Sequence, residues 1–357
     1  MKSIQDYSLP ITELEYRNIP DISYSLLSSV YRNGYKSLTE EFTPNISTIF
    51  GVLTESLLFG SYDKNDYYIL PDDISITDKV KGAADIIFPY LLNNGLTNDD
   101  LSVYEREIVS LFENVDIDYY KNRTSESRAN TIINEISGYW KHFVKSIGKI
   151  VISQETLDRA TKTVETLRNH QFTFDIFNIN PFQNVEKISQ FKYRYLLHGH
   201  EIKVMLDWLV IDHDNKIIKP YDLKTGSKLV EDFEQSFFYW RYDIQAFLYS
   251  IAVRQLADKY YPDYTIEPFK FVYISRFDSF KPLVWKITNK LIRGAYKGYL
   301  RDGKYYKGVL ELISEYNWYV ENQDNVYYSK DVYDNSGELS INSDITINER
   351  ENKHKSE

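Results

Sequence analysis

The chain has 357 residues, of which 43% are hydrophobic, and a formal net charge of −10. That length suits one large domain or two modest ones. It contains no cysteine, which excludes disulfides, cysteine nucleophiles and cysteine-ligated metal centres. The acidic balance argues against broad, nonspecific DNA binding. The N-terminus lacks the apolar segment of a signal peptide, and no apolar run approaches the ~20 residues of a membrane span, so we expect a soluble, cytoplasmic protein.

The first seventy residues predict two helices and a strand. Residues 1–20 read as extended or loop-like. Asp21 is placed to cap a helix over Ile22–Arg32. Apolar residues at helical spacing predict a second helix over Ser47–Phe59, and Tyr67–Leu70 is a short strand.

A polar, helical section follows at about 72–170. Helices are predicted over Leu101–Glu113, Ser127–Ile147 and Gln154–Asn169. Because this section carries no obvious chemistry, we interpret it as an inserted helical subdomain.

The next section predicts a β-meander. Strands are expected over Val185–Leu196, Glu201–Ile211 and Ile217–Gly226, separated by short polar turns. The meander would therefore deliver Asp207 and Asp222 on adjacent strands.

The C-terminal section mixes helices and strands. A long helix is predicted over Glu231–Leu256, strands over Glu267–Ser275 and Leu283–Ile287, and mostly helix over Asn289–Glu321. Residues 335–357 are polar and are predicted to form a disordered tail.

Asp207, Asp222 and Lys224 carry the strongest chemical signal. A carboxylate on an apolar strand costs free energy unless a partner compensates its charge. Mg²⁺ or Mn²⁺ could be that partner, because both ions bind oxygen ligands. The carbonyl of Leu223 could add a further ligand. Lys224 points to the same face as Asp222 because strand side chains repeat every two residues. An ammonium there could orient or help to deprotonate a water that attacks a phosphodiester. An isolated Asp-x-Lys is a weak signal, and the apolar, hairpin-connected strands strengthen it.

Four more polar residues are candidates for this site. Gln245 and Tyr249 share one helix face at i and i+4 and could position substrate, or they could belong to a structural polar network and the core. Glu55 lies on an apolar helix and is either a third metal ligand or a surface glutamate. Glu186 is either an additional acid or an exposed strand carboxylate.

Basic residues around these strands are candidates for phosphate contacts. Lys228 and Arg241 are the two that we select as DNA contacts. Most members of the group could equally be solvated charges; the others are Lys187, Lys192, Arg194, Lys203 and Arg254.

The chain resembles the PD-(D/E)XK nuclease superfamily, and within it the RecB-like branch that includes the exonuclease VIII type. Six ordered segments carry the resemblance: Ile19–Leu27, Gly51–Leu58, Asp207, Asp222-Leu223-Lys224, Gln245–Tyr249, and Tyr273–Arg276 with Pro282–Trp285. Glu55 stands where the family more often has histidine. The section at about 72–170 and the tail lie outside the resemblance.

The resemblance implies an α/β fold with a central mixed β-sheet flanked by helices. It implies one nuclease-like domain over 1–334 with the helical insertion, and it makes Glu55 a metal ligand beside Asp207 and Asp222. The implied activity is an Mg²⁺- or Mn²⁺-dependent deoxyribonuclease. We expect an exonuclease that processes DNA ends in recombination or replication, encoded by a phage and acting in the host cytoplasm.

Two rival functions stay open at this point. One is a structure- or site-specific endonuclease on the same core, and the other is a catalytically silent DNA-binding or assembly module. DNA is the expected partner, and a homo-oligomer or a recombination partner protein is compatible with this reading. No membrane association is expected.

Overall fold

The computed structural model describes residues 4–39, 44–71, 74, 76–178, 182–277, 281–323 and 326–338. It divides into two compact units: Met1–Thr43 with Thr166–Glu357, and Pro44–Glu165. Most of the predicted insertion at about 72–170 falls in the second unit, which also contains the helix of Glu55. Of the predicted tail, residues 339–357 lie outside the described residues.

The helices of the described residues are, in chain order, α1 Glu13–Asn18, α2 Tyr24–Asn33, α3 Ile46–Phe59, α4 Asp78–Asn93, α5 Glu105–Asn114, α6 Ser125–Ser146, α7 Gln154–Asn169, α8 Phe174–Phe177, α9 Phe233–Tyr239, α10 Tyr242–Tyr260, α11 Asn289–Lys297, α12 Val309–Glu321 and α13 Lys330–Asp334. The strands are β1 Tyr67–Leu70, β2 Ile150–Ser153, β3 Val185–Leu197, β4 His200–Asp212, β5 Ile217–Gly226, β6 Thr265–Ile266, β7 Lys270–Ser275, β8 Leu283–Lys286, β9 Tyr299–Arg301 and β10 Lys304–Tyr306.

A six-stranded mixed sheet organises the first unit. Its order is β3-β4-β5-β7-β8, with β6 paired to β5. The β3–β4, β4–β5 and β7–β8 pairs are antiparallel, whereas β5 and β7 run parallel. The predicted α/β class, with a central mixed sheet flanked by helices, is confirmed.

The β3–β4 hairpin turns on His198 and Gly199, which both adopt positive φ. A two-residue loop with this geometry matches the twist of the two strands it joins. Leu197 and His200 close the ladder on either side of the turn.

Helix α10 supplies the apolar layer against the sheet. Leu248, Ala252 and Leu256 are fully buried in one cluster with Leu206 and Phe271 of the strands. The same helix buries Asp243 and Gln245, two polar residues in an otherwise apolar layer. Buried polar groups of this kind require hydrogen-bond or ion-pair partners, so these two residues mark the positions at which α10 makes polar contacts within the core.

The second unit is mainly helical and has its own apolar cores. Trp140, Ile87 and Ile108 belong to a cluster contributed by α4, α5 and α6. Strands β1 and β2 form a parallel pair in this unit.

The predicted helix over Glu231–Leu256 is wrong in its continuity. Helices α9 and α10 are separate because Arg241 adopts a left-handed conformation at φ 57°. Its guanidinium is fully buried and pairs with Asp243 at 3.0 Å, and it donates to the Lys307 carbonyl at 2.6 Å. The Arg241 guanidinium also lies 4.3 Å from the centroid of the Tyr31 ring. These interactions hold the break that begins α10.

Two other predicted segments differ from the structure. The expected loop over residues 1–20 contains α1, which Thr12 and Glu15 begin with a reciprocal capping box. The expected helix over Asn289–Glu321 is interrupted by the β9–β10 hairpin, whose turn residues Asp302 and Gly303 both have positive φ. At the start of α2, Ser23 rather than Asp21 accepts the capping hydrogen bond.

No helix within the described ranges is both long and apolar enough to cross a membrane.

We predict that Asp243→Ala lowers the free energy of unfolding by about 3–5 kcal/mol, because it leaves the Arg241 charge buried without its partner. Urea unfolding of the intact chain measures this change. Asp263→Ala is the matched control, because it breaks an ion pair with Lys216 in which both side chains are more than half exposed, and we expect it to leave stability nearly unchanged. Equal effects of the two substitutions would contradict the role assigned to the Arg241–Asp243 pair.

Candidate active site

Strands β4 and β5 part at Asp207. Their ladder runs from Asp212↔Ile217 to Trp208↔Tyr221 and goes no further. At the next position the Asp207 carboxylate accepts a hydrogen bond from the Leu223 N–H at 3.0 Å. The side chain thus takes over a backbone donor that the ladder no longer serves. Asp207 is 8% exposed, so the opening between the strands begins at a buried carboxylate.

Gln190 lies across from Asp207 on the other neighbouring strand. The β3–β4 register pairs Ser189 with Trp208 and Phe191 with Leu206, which brackets Gln190. Gln190 has φ 51°, an uncommon conformation for a non-glycine residue and one that costs energy. The backbone is therefore strained beside the carboxylate at which the sheet opens.

Asp222 is the most enclosed acid of the group, with 1% exposure. Its Oδ1 accepts a hydrogen bond from Gln245 Nε2 at 2.6 Å. Its Oδ2 forms an ion pair with the Lys224 ammonium. The prediction that Asp222, Lys224 and Gln245 meet is therefore realised in direct contacts.

The Lys224 ammonium is held in its charged form. Burial works against that charge, but the Asp222 carboxylate, with smaller contributions from Tyr242 and Asp207, outweighs it and raises the pKa of Lys224 well above its ordinary value. The ammonium also lies 4.9 Å from the centroid of the Tyr242 ring. The Asp222 carboxylate therefore favours the charged, ammonium form of Lys224.

Tyr249 lies one helical turn beyond Gln245, as its spacing predicts. Burial is the main cause that raises the pKa of its phenol well above the ordinary value, and Tyr16, Asp222 and Asp207 add to this rise. Its ring meets Phe269 edge to face at a centroid distance of 5.9 Å. Tyr249 is therefore a neutral aromatic group within the field of the carboxylates.

Two tyrosines near the site were not predicted from the sequence. Tyr242 precedes Gln245 by three positions, so helical spacing could have revealed it. Tyr24 begins α2, and its ring lies 6.0 Å from that of Tyr242. Its hydroxyl donates to the Trp240 carbonyl at 2.8 Å. No local sequence pattern predicts this contact, because its two partners are 216 positions apart in the chain.

The start of α2 is fixed beside β4. Ile22 forms a parallel bridge with Ile202, on the side of β4 that β5 has left. The Ser28 hydroxyl, one turn after Tyr24, also donates to the Trp240 carbonyl at 2.7 Å. Helix α2 is thus tied both to the sheet and to the break between α9 and α10.

The donor set at this site suits Mg²⁺ or Mn²⁺. Hard divalent cations take carboxylate and carbonyl oxygens together with water. Two buried oxygens accept no regular hydrogen bond from any described residue: Asp222 Oδ2, which only ion-pairs with Lys224, and Gln245 Oε1. Such atoms are the acceptors that a cation or an ordered water would satisfy.

Glu55 and Glu186 are the two glutamates that the sequence predicted for this site. No group of three or more acidic or histidine side chains suited to a metal occurs among the described residues. Glu55 lies half-buried on α3 in the second unit, and its part in a metal shell stays a prediction. Glu186 pairs across the strands with Ile211, and its carboxylate lies 3.6 Å from His213 Nε2. This placement does not support Glu186 as a further acid of the site.

Several basic residues that were predicted to contact phosphate instead form ion pairs or hydrogen bonds within the protein. Arg241 is fully buried against Asp243, which does not support a DNA contact. Lys203 donates to the carbonyls of Tyr16, Arg17 and Ile19 at the end of α1, and burial lowers the pKa of its ammonium. Lys187 likewise donates to carbonyls around α8, Lys192 to the Ile11 carbonyl, and Arg194 to Asp21. Lys228 is exposed in the loop after β5 and stays a candidate.

The chain is similar to a crystal structure from Eubacterium rectale described as "Putative exonuclease", with a TM-score of 0.45 and 11% identity over 95% of this chain and 97% of that one. No protein-family model matches the chain. No curated protein matches it either.

We predict that Lys224→Met lowers the free energy of unfolding in EDTA by about 3–5 kcal/mol, since it leaves the buried Asp222 carboxylate without its counter-charge. The double variant Asp222→Asn/Lys224→Met should lose less than the single one, because the uncompensated charge is gone. Urea titrations of both variants, with Asp222→Asn alone, complete a double-mutant cycle. Additive losses would show that the two residues do not interact as described.

Proposed function

We propose that the protein is a metal-dependent DNA nuclease whose active site is built from Asp207, Asp222, Lys224 and Gln245. The observation that carries this proposal is the meeting of two buried carboxylates, an ammonium and an amide at the point where β4 and β5 part. Two buried carboxylates beside a single ammonium leave an excess negative charge that a divalent cation would compensate.

Asp207 and Asp222 would hold Mg²⁺ or Mn²⁺ through their carboxylate oxygens, and the Leu223 carbonyl is proposed as a further ligand. A bound divalent ion activates a water and stabilises the charge that develops on the phosphoryl oxygens. Gln245 fixes the orientation of Asp222 by donating to its Oδ1. Its own Oε1 is left to orient a water or the substrate.

Lys224 would act beside the attacking water as a donor. Its contact with Asp222 places the ammonium where it would orient the water or a phosphate oxygen and offset the negative charge of the transition state. Tyr249 stays a neutral phenol and contributes by packing the wall behind the carboxylates. Lys228 would contact the DNA backbone from the exposed loop after β5.

Within this class we propose an exonuclease that processes DNA ends in recombination or replication. The order of the motifs Asp207, Asp222-Leu223-Lys224 and Gln245–Tyr249 along the chain supports this choice, through the RecB-like resemblance. A phage origin, a homo-oligomer and a recombination partner protein belong to the same proposal.

We predict that the protein degrades linear DNA in the presence of Mg²⁺, and that Asp222→Asn and Lys224→Ala each lower the rate by at least about 10²–10³-fold. The substrates are linear and covalently closed circular DNA, with the linear form labelled at either end. Asp263→Asn and Lys290→Ala are the controls, because both positions are exposed. Loss of linear DNA alone identifies an exonuclease and its polarity, whereas cleavage of circles identifies an endonuclease. Metal-independent binding without cleavage of either substrate would overturn the nuclease proposal.

We further predict that Mg²⁺ or Mn²⁺ raises the melting temperature of the wild-type protein and raises that of Asp222→Asn much less, because a ligand that binds only the folded state stabilises it by mass action. Differential scanning fluorimetry with and without EDTA measures this without any substrate. Equal shifts for the wild type, Asp222→Asn and Asp207→Asn would exclude these carboxylates as the metal site.

A further inference from the structure

A cleft separate from the carboxylate site lies in the first unit, at the C-terminal end of α2. It has a volume of about 710 Å³, within the ~300–1,000 Å³ typical of ligand sites. Its walls combine aromatic and basic side chains, among them Tyr31, Arg32, Tyr35, Lys36, Tyr239 and Lys304. This mixture is the composition of surfaces that stack bases and contact phosphates.

The charge of this cleft is opposite to that of the whole chain. Its two carboxylates, on Glu315 and Asp331, are both bound by the Lys307 ammonium, at 2.8 and 3.0 Å. Within the described ranges, neither Arg32 nor Lys304 forms an ion pair with a carboxylate. The basic walls of the cleft therefore keep a positive charge, on a protein whose net charge is −10.

The accessible aromatic ring of the cleft is that of Tyr239. Tyr239 is 63% exposed and meets Trp240 edge to face. The Arg32 guanidinium lies 4.4 Å from the centroid of the Trp240 ring. Lys304 extends along Tyr31, with its ammonium 5.6 Å from the ring centroid. A base could stack on such a ring while a neighbouring cation holds the adjacent phosphate.

Helix α2 connects this cleft to the carboxylate site. Tyr24, Ser28 and Arg32 follow at i, i+4 and i+8 along one face of the helix. Tyr24 lies beside Tyr242 and contributes to the field at Lys224. At a rise of ~1.5 Å per residue, Arg32 is about 12 Å further along the helix axis. The cleft therefore begins about two helical turns from the proposed site of hydrolysis.

We propose that this cleft binds a single-stranded segment of the nucleic acid that runs to the active site. The inference rests on the proposed function and extends it by naming the form of the substrate. Stacking on Tyr239 needs a base that is not paired in a duplex. The chain thus holds an unpaired strand beside the scissile phosphate by stacking and by the cations Arg32 and Lys304.

The test is direct binding of a fluorescent oligothymidylate in EDTA, measured by anisotropy, so that no cleavage is involved. The double variant Tyr239→Ala/Lys304→Gln should weaken binding by about tenfold or more, since each stacked base contributes strongly to affinity. Lys304→Gln alone should reduce the slope of log Kd against log salt by about 0.7. The matched control is Phe182→Ala/Lys290→Gln, which removes an aromatic group that is 95% exposed and an exposed lysine outside the cleft.

Four results would overturn the proposal, and three of them are wild-type affinity in the cleft variant, an equal loss in the control, and a blunt-ended duplex that binds as tightly as the single strand. Competition by thymidine monophosphate at the same molar concentration is the fourth, because it would show a mononucleotide site.

Failure of this proposal and failure of the nuclease proposal give different results. Metal-dependent cleavage with no single-strand binding removes the cleft and leaves the nuclease. Binding that depends on Tyr239 and Lys304, without cleavage under any metal, retains the strand site and removes the nuclease.

Discussion

The hydrogen bond from the Leu223 N–H to the Asp207 carboxylate is the interaction on which the site depends. A sheet that stayed fully laddered would satisfy its own backbone and leave no room for polar side chains between strands. Here a side-chain acid ends the β4–β5 ladder and satisfies the first backbone donor beyond it. Ile22 then pairs with the vacated side of β4 at Ile202. Each edge of the opening thus has a backbone partner at these positions, and the Asp222–Lys224 pair lies beside it.

Local sequence patterns predicted the meander, the placement of Asp207 and Asp222 on adjacent strands, and the shared helix face of Gln245 and Tyr249. All of these follow from strand alternation and helix spacing, which are short-range rules. The break at Arg241 could not be predicted in this way, because its left-handed backbone is stabilised by the Lys307 carbonyl and the Tyr31 ring, which lie far away in the chain. The contact of Tyr24 with Trp240 was missed for the same reason. By contrast, the capping box of α1 and the Asp302-Gly303 turn are local signals that were present and not used.

Helix α2 contacts both functional surfaces. Its first turns lie beside the carboxylate site, its last turn lines the cleft, and two of its hydroxyls hold the Trp240 carbonyl between them. The Trp240 peptide directly precedes Arg241, so α2 is hydrogen-bonded to the residue at which α10 begins.

The internal use of lysines has a consequence for how such a protein would find its substrate. Three lysines donate hydrogen bonds from their ammonium groups to backbone carbonyls: Lys187, Lys192 and Lys203. The chain as a whole is acidic. The formal net charge of −10 already counts these ammonium groups as positive, so the overall charge of the chain does not supply the long-range attraction that speeds the encounter of basic proteins with DNA. An enzyme of this kind would not track along duplex by charge. Under the proposed function it would rely on short-range contacts, such as those of the basic cleft, at a place where the strand is already open.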